Sequence, residues 1–255
     1  MSYLNTLPLV WGFLRGEQKG LFNLEFCLPS ECADRLASGA ADIGIVPSIE
    51  LPRLGLEIIP GAGIACRSEV RSILLASKAP PERIRTLAGD ASSRTSNVLA
   101  QIILARRYNV EPQVRLAAPD LDAMLARADA AVIIGDPALR INRSAYPFRF
   151  FDLGVEWTEL TGLPMVFAVW AGRPGLGNGW LAEVFRQSCK YGLAHIDEIA
   201  REEAAPRGLS EDFAREYLTH NVVNELGERE YEGLRLFLNY AAEFATVEPT
   251  EKITT

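Results

Sequence analysis

The sequence predicts an α/β fold in two lobes with a ligand cleft between them, and three observations lead there. Short apolar strand patterns alternate with helical patterns along most of the chain, which favours a largely parallel sheet with helices on both faces. Two strand-like runs, Val70 to Ala76 and Leu163 to Trp170, stand where the chain could leave one lobe and later return. Polar stretches at Asn5-Thr6, Ser48, Arg71-Ser72, Ser92 to Ser96 and Gly135-Asp136 fall at the loops between strand and helix, where open α/β sheets bind ligands. The expected division is a discontinuous first lobe, 1–72 and 170–255, around a continuous second lobe, 73–169.

Taken in order, Tyr3 to Trp11 reads as a loop entering a helix, with Thr6 as N-cap and Pro8 in the first turn, where a missing N–H is tolerated. Leu24 to Leu28 reads as a strand, and Ser30 as the cap of a helix stopping near Gly39. Asp42 to Ser48 is a short apolar strand ending in a Pro-Ser turn, with Ser48 capping a helix over Ile49 to Leu54. Strand patterns follow at Leu56 to Ile59, Gly63 to Arg67 and Val70 to Ala76, then a break at Pro80-Pro81. Ser92 to Ser96 opens a helix, and a strand at Gln113 to Ala117, a helix at Leu121 to Arg127 and a buried strand at Ala130 to Ile134 come next. Asp136 is placed to cap a helix through Arg140. Phe148 to Asp152 is a strand, Trp157 to Leu160 a helical turn ended by Gly162, and Leu163 to Trp170 a continuous apolar strand. Beyond a loose connection at Gly175, Gly177 and Gly179, helices are expected over roughly 180–204, 210–222 and 227–245, then a frayed tail from Val247 to Thr255.

Composition narrows the function classes. The 255 residues carry 33 acidic against 26 basic side chains, a net charge of -7, with no basic run or stripe. That argues against a nucleic-acid partner. No apolar run is long enough to span a bilayer, and the start lacks the layout of a signal peptide, so a cytoplasmic protein is expected. Cys27, Cys32, Cys66 and Cys189 show no CxxC pairing, no metal-binding constellation is present, and the Gly175-Leu176-Gly177 run lacks the strand of a nucleotide-binding turn. Neither a metal nor a cofactor is expected.

The Ser92-Ser93-Arg94-Thr95-Ser96 run is the most informative stretch. A hydroxyl at an N-cap takes one free N–H of the first turn, and the remaining N–H groups with the helix dipole favour an anion. Arg94 adds a planar fork suited to a carboxylate or phosphate. Five consecutive hydrogen-bonding side chains exceed what a cap requires, so the run reads as the anion-binding lip of the cleft.

Several motifs together resemble one known family. They are Ser2 to Thr6, Asp42 to Ser48, Val70 to Ser72, Ser92 to Ser96, Ile134 to Asp136, Asp152 to Trp157 and Thr161 to Trp170. The ordered set, spanning nearly the whole chain to about residue 172, resembles the chorismate dehydratases of the futalosine route to menaquinone. The resemblance implies the two-lobed fold of the type II periplasmic binding proteins. It also implies loss of water from chorismate, a dicarboxylate, to give 3-[(1-carboxyvinyl)oxy]benzoate. Members carry a short strand before the Tyr-Leu-Asn motif. This sequence begins at that motif: either its start was assigned too late or that first strand is missing, and loss of a central strand would loosen the cleft.

By the same resemblance Asn5 sits at the reacting face of the ring; from the residues alone it is equally a turn residue. Tyr3, Thr6, Ser48, Ser72, Ser92, Ser93, Arg94, Thr95, Ser96, Gly135 and Asp136 are the expected substrate-binding set. Ser48 and Asp136 are also explained as helix caps, Ser72 as a satisfied core hydroxyl, and Asp136 alternatively as a general base. Glu156 and Trp157 are read either as ordering a loop over the cleft or as packed side chains. His195 and His220, the only histidines, fall in the C-terminal helices, away from the expected cleft. Rival readings are a solute-binding protein of the same fold, the enzyme of the same route that makes 1,4-dihydroxy-6-naphthoate, and the effector domain of a transcription regulator. The last would need a helix-turn-helix that the sequence lacks. Oligomeric state is not encoded in any of these features.

Overall fold

A computed structural model describes residues 2–176 and 179–245. Gly177 and the expected frayed tail lie outside the described residues. In chain order the elements are α1 (Leu7–Arg15), α2 (Pro29–Ala37), β1 (Ile43–Pro47), α3 (Glu50–Leu54), β2 (Glu57–Cys66), β3 (Ile73–Ser77), β4 (Thr86–Asp90), α4 (Arg94–Tyr108), β5 (Gln113–Ala117), α5 (Leu121–Arg127), β6 (Ala130–Ile134), α6 (Gly135–Leu139), β7 (Arg149–Asp152), α7 (Leu153–Thr161), β8 (Met165–Gly172), α8 (Gly179–Ala194), α9 (Ile196–Glu203), α10 (Glu211–Glu216), β9 (Val223–Glu225) and α11 (Glu228–Ala245). A 3-10 turn at Leu4–Thr6 leads into α1, and a π-helical turn at Tyr217–Asn221 follows α10.

The strands form two sheets, in the orders β1-β8-β2-β9 and β5-β4-β6-β3-β7. Neither is largely parallel as the alternating pattern suggested. The first is antiparallel throughout, and in the second only β4 runs parallel to its neighbours β5 and β6. Strand–helix alternation gives parallel pairs only where a helix carries the chain back over the sheet, as α4 does between β4 and β5. The expected lobe boundary at 169/170 falls inside β8, whose residues pair with β1 and β2.

Three local expectations change for identifiable reasons. Leu24 to Leu28 is extended but pairs in no ladder; with Ile43 to Ile45 of β1 it borders a groove of about 290 Å³ and has no strand to meet. Ser30 and Ser48 cap no helix. α2 starts at Pro29, with Glu31 accepting from the Leu28 N–H at 2.9 Å, and the Ser48 hydroxyl donates to Val166 O at 2.7 Å. Trp157 lies in α7 with no exposure, edge-on to Phe237 and Tyr240, its indole N–H donating to Pro164 O. It is a core residue and covers no cleft. Glu156 accepts from the Tyr108 hydroxyl and pairs with Arg107.

The crossing between sheets at Val70 to Ser72 is held by one side chain. Asp152, buried at the end of β7, accepts backbone N–H from Val70 at 3.0 Å, Arg71 at 2.7 Å, Gly154 at 3.0 Å and Val155 at 3.3 Å. Burial pushes its carboxyl above the usual range, although all four N–H groups pull it down. Arg71 takes the left-handed conformation, φ 60°, that a non-glycine residue adopts only when its surroundings over-determine it. Asp152 and the pairs from Arg71 to Glu69 and Glu216 supply that constraint. Asp152→Ala removes an acceptor from several buried donors, each worth about 1–3 kcal/mol when left unsatisfied. We expect it to lower unfolding free energy by at least about 2 kcal/mol in a denaturant titration, and an unchanged midpoint would contradict this reading of the crossing.

Candidate ligand-binding cleft

The sheets meet across a polar seam, and a cavity of about 40 Å³ lies within it. Its lining includes Tyr3, Asn5, Ser72, Ser93, Thr95, Ser96 and Gly135, with Ile64, Ile73, Ile134 and Phe167 as apolar walls. Such a space suits a water or two rather than an aromatic ring.

One wall is the start of α4. Ser93 is its N-cap, and its hydroxyl accepts from the Ser96 N–H at 3.3 Å. Thr95 Oγ1 accepts from the Ile49 N–H at 3.3 Å, a bond from the side of the first sheet. The helix runs fifteen residues behind this wall, with Leu99, Ala100, Ile102, Ile103 and Leu104 fully buried, which fixes where its N–H groups point. Those groups and the helix dipole favour a negative charge in the cavity.

Ser92 and Arg94, expected beside them, do other work. The Ser92 hydroxyl donates to Asp90 Oδ1 at 2.6 Å and stands 3.1 Å from the Tyr3 hydroxyl. Asp90, fully buried at the end of β4, also accepts from the Ser92 and Ile134 N–H groups, and burial holds its carboxyl above the usual range. Because Ser92 gives its proton to Asp90, the Tyr3 phenol must be the donor in the Tyr3–Ser92 pair. Nothing in the sequence marked Asp90 out. Arg94 turns away from the cavity to Asp34 at 2.8 Å and Glu50 at 3.2 Å, so its fork ties α4 to α2 and α3.

The opposite wall is the 3-10 turn. Thr6 occupies the N-cap of α1 but makes no capping bond, and its buried hydroxyl has no partner. Asn5 is 8% exposed, and its Oδ1 has no partner although the residue lines the cavity. Behind the turn lies Tyr217, fully buried, whose hydroxyl donates to Ser72 Oγ at 2.9 Å. Tyr217 was legible only as part of an apolar helical stripe.

Asp136 caps no helix of its own; Ile134 holds the N-cap of α6. Its Oδ1 instead accepts from the Leu4 N–H at 3.0 Å, and Arg207 Nε lies 3.2 Å from Oδ2, an ion pair without hydrogen-bond alignment. It fastens the Asn5 turn to the second sheet. Gly135 beside it has φ 64°, and a Cβ there would meet the Tyr3 ring at 2.7 Å. Ser48, Thr6, Ser92, Arg94 and Asp136 thus stand outside the cavity lining, while Tyr3, Asn5, Ser72, Ser93, Thr95, Ser96 and Gly135 come together on it. His195 stacks on Tyr191 with Nδ1 2.7 Å from Tyr191 O, and His220 is exposed; neither lines the cavity. Among the described residues no group of His, Cys, Asp and Glu side chains could hold a metal ion, and no helix is long and apolar enough to cross a membrane.

The chain is similar to several known proteins. A family described as menaquinone biosynthesis matches residues 1–243. The chain is 28% identical to a chorismate dehydratase of Thermus thermophilus, over 92% of this chain and 91% of that protein. It is 26% identical to a chorismate dehydratase of Campylobacter jejuni, over 92% of this chain and 89% of that one. In structure it is similar to the periplasmic aliphatic sulphonate binding protein of Escherichia coli, with TM-score 0.66 and 16% identity, covering 99% and 91% of the two chains. The last likeness shows the fold, that of the periplasmic binding proteins.

Replacing Ser93 and Thr95 together by Ala should remove the hydroxyls at the start of α4 and weaken binding of a small aromatic carboxylate about tenfold or more. Titration calorimetry checks it. Equal affinity in the double variant and the parent would show that the anion binds elsewhere.

Proposed function

Since the chain belongs to the menaquinone-biosynthesis family, matched over residues 1–243, we propose that it is a chorismate dehydratase. In this reading it removes water from chorismate to give 3-[(1-carboxyvinyl)oxy]benzoate. The observation that carries the reading within the cleft is Asn5, buried and facing the cavity opposite the α4 N-terminus. Chorismate is a dicarboxylate with a ring hydroxyl, so it asks for anion donors on one side and hydroxyl partners on the other.

The reaction breaks one ring C–H and one ring C–O bond and forms the last double bond of an aromatic ring. The base needed for the proton is not found among the lining residues. Tyr3 is the titratable side chain there, and burial raises its phenol above the ordinary value, which keeps it protonated. Asp136 stands outside the lining, its carboxylate already engaged by the Leu4 N–H and Arg207. The enolpyruvyl carboxylate of the substrate is tethered to the ring carbon that gives up the proton. It therefore takes the proton and passes it to the departing hydroxyl, which leaves as water. The protein's part is positioning: α4 fixes a carboxylate, Asn5 and Ser72 fix the reacting edge, and closure excludes solvent. The narrow cavity requires the two walls to part for the ring to enter, with the Arg94, Asp136 and Tyr3 contacts re-forming behind it.

A solute-binding protein of this fold would bind the same ligand unchanged. Incubation with chorismate followed by mass spectrometry separates the two, since the dehydratase yields a product lighter by one water. Asn5→Ala should lower turnover about 10²-fold or more, the scale of lost positioning, while His195→Gln and His220→Gln keep most of it. Recovery of unaltered chorismate from the parent protein, or loss of turnover in a well-folded histidine variant, would defeat this reading.

A further inference from the structure

Asp90 ends β4, is fully buried and does not line the cavity, yet two parts of the cavity wall depend on it. Its Oδ1 accepts from the Ser92 N–H at 2.9 Å and the Ser92 hydroxyl at 2.6 Å, and its Oδ2 accepts from the Ile134 N–H at 3.2 Å. One carboxylate thereby fixes the loop before α4 against the end of β6, where Gly135 follows. The Tyr3 side chain rests on those two places. Tyr3 belongs to the opposite wall, as the residue before the 3-10 turn that carries Asn5. Its hydroxyl lies 3.1 Å from Ser92 Oγ. A Cβ on Gly135 would stand 2.7, 2.7 and 2.8 Å from its Cδ1, Cε1 and Cε2. Near-equal distances to both edges of the ring put its face over Gly135, so the ring can seat only where no side chain stands. The protons along this chain have one arrangement. A carboxylate only accepts, so the Ser92 proton goes to Asp90, and toward Tyr3 the Ser92 oxygen only accepts from the phenol. A hydroxyl that donates to a charge is in turn a better acceptor, which strengthens the Tyr3 bond.

We propose that Asp90 is a positioning residue of the cleft: through Ser92 and the end of β6 it seats Tyr3 as a latch between the two walls, and release of that latch sets how fast a ring enters and leaves. A cavity of about 40 Å³ is too small for an aromatic ring, so the walls part at each passage. Tyr3 lies across that parting, its backbone on one wall and its ring and hydroxyl on the other, and the bond to Ser92 breaks when the walls separate. The Leu4 N–H bond to Asp136 and the Arg94 ion pairs also join elements across the seam, but Leu4, Asp136 and Arg94 stand outside the cavity lining, whereas Tyr3 is part of it. The latch re-forms over a bound ring, so weakening it speeds entry and exit alike and leaves affinity nearly unchanged. A residue that merely held the ligand would change exit alone. The inference rests on the reading of this cavity as the site of an aromatic carboxylate and is independent of the chemistry that follows binding.

Stopped-flow mixing of the whole chain with 3-[(1-carboxyvinyl)oxy]benzoate, followed by tryptophan fluorescence, gives both rates. Y3F and S92A each remove the catch and keep the ring and its floor. Association and dissociation rate constants should both rise about fivefold or more, with Kd changed by less than about twofold. D90N keeps the size of Asp90 but offers one acceptor oxygen to donors that arrive at two, so it should reproduce the S92A rates. Should D90N fold poorly, Y3F and S92A carry the test. The Y3F/S92A double variant should be no faster than the faster single one, because both changes remove the same bond. Unchanged rates in well-folded Y3F and S92A, or a rise in dissociation alone with affinity lost in proportion, would overturn the assignment. A parent protein that does not bind the product would bring it down together with the reading of the cavity as the ligand site. The expected rate changes in a protein that converts no chorismate would instead defeat the dehydratase reading and leave the latch standing.

Discussion

A buried carboxylate has to be satisfied where it stands, and in this chain that requirement shapes the cleft. Asp152 collects the N–H groups of Val70, Arg71, Gly154 and Val155, and so fixes the turn by which the chain passes between sheets. Ser72 follows directly on that turn and owes its place to it. Asp90 does the same for the loop before α4, and Asp136 for the Asn5 turn, which it binds from the other sheet. Each is desolvated enough for its pKa to lie above the ordinary range, and each is held by backbone donors that would otherwise be orphaned. These carboxylates tie down the backbone of the cleft walls.

The division of labour across the seam follows from which groups remain unengaged. Arg94, Ser92 and Asp136 are occupied in joining elements, whereas Asn5, Ser72 and the start of α4 line the cavity. Helix N–H groups and hydroxyls recognise an anion without being able to take a proton from carbon. A binding protein and a dehydratase could share such a cleft, since a fold alone does not fix function. In our reading the difference lies in a substrate that carries its own base and in a cleft able to hold that base against the ring.

Much of this was legible in the sequence where a residue's local role and its final role coincide. The hydroxyl run before an apolar helix marks α4 and its N-cap, and the apolar runs at 130–134 and 165–170 mark strands buried on both faces. It was not legible where a side chain acts across the fold. Asp136 reads as a local cap because capping is the nearest use for an Asp after a strand, yet its partner is Leu4, far along the chain. Arg94 reads as a ligand fork because nothing in its own segment competes for it; Asp34 and Glu50 do so from α2 and α3. Tyr217 sits in an apolar stripe whose spacing explains it fully until its hydroxyl is seen against Ser72. Leu24 to Leu28 has strand composition, but strand formation needs a partner edge, which no local pattern records.

The central claim is that the substrate's own carboxylate takes the ring proton and the protein supplies position. The pH dependence of kcat for chorismate tests it most directly. A carboxylate base that titrates near pH 4 leaves kcat level from about pH 6 to 9, because the cavity lining offers no group that changes charge in that interval. A bell-shaped or sigmoidal profile with an apparent pKa between about 6 and 8 would mean that a protein side chain moves the proton, and would contradict the account.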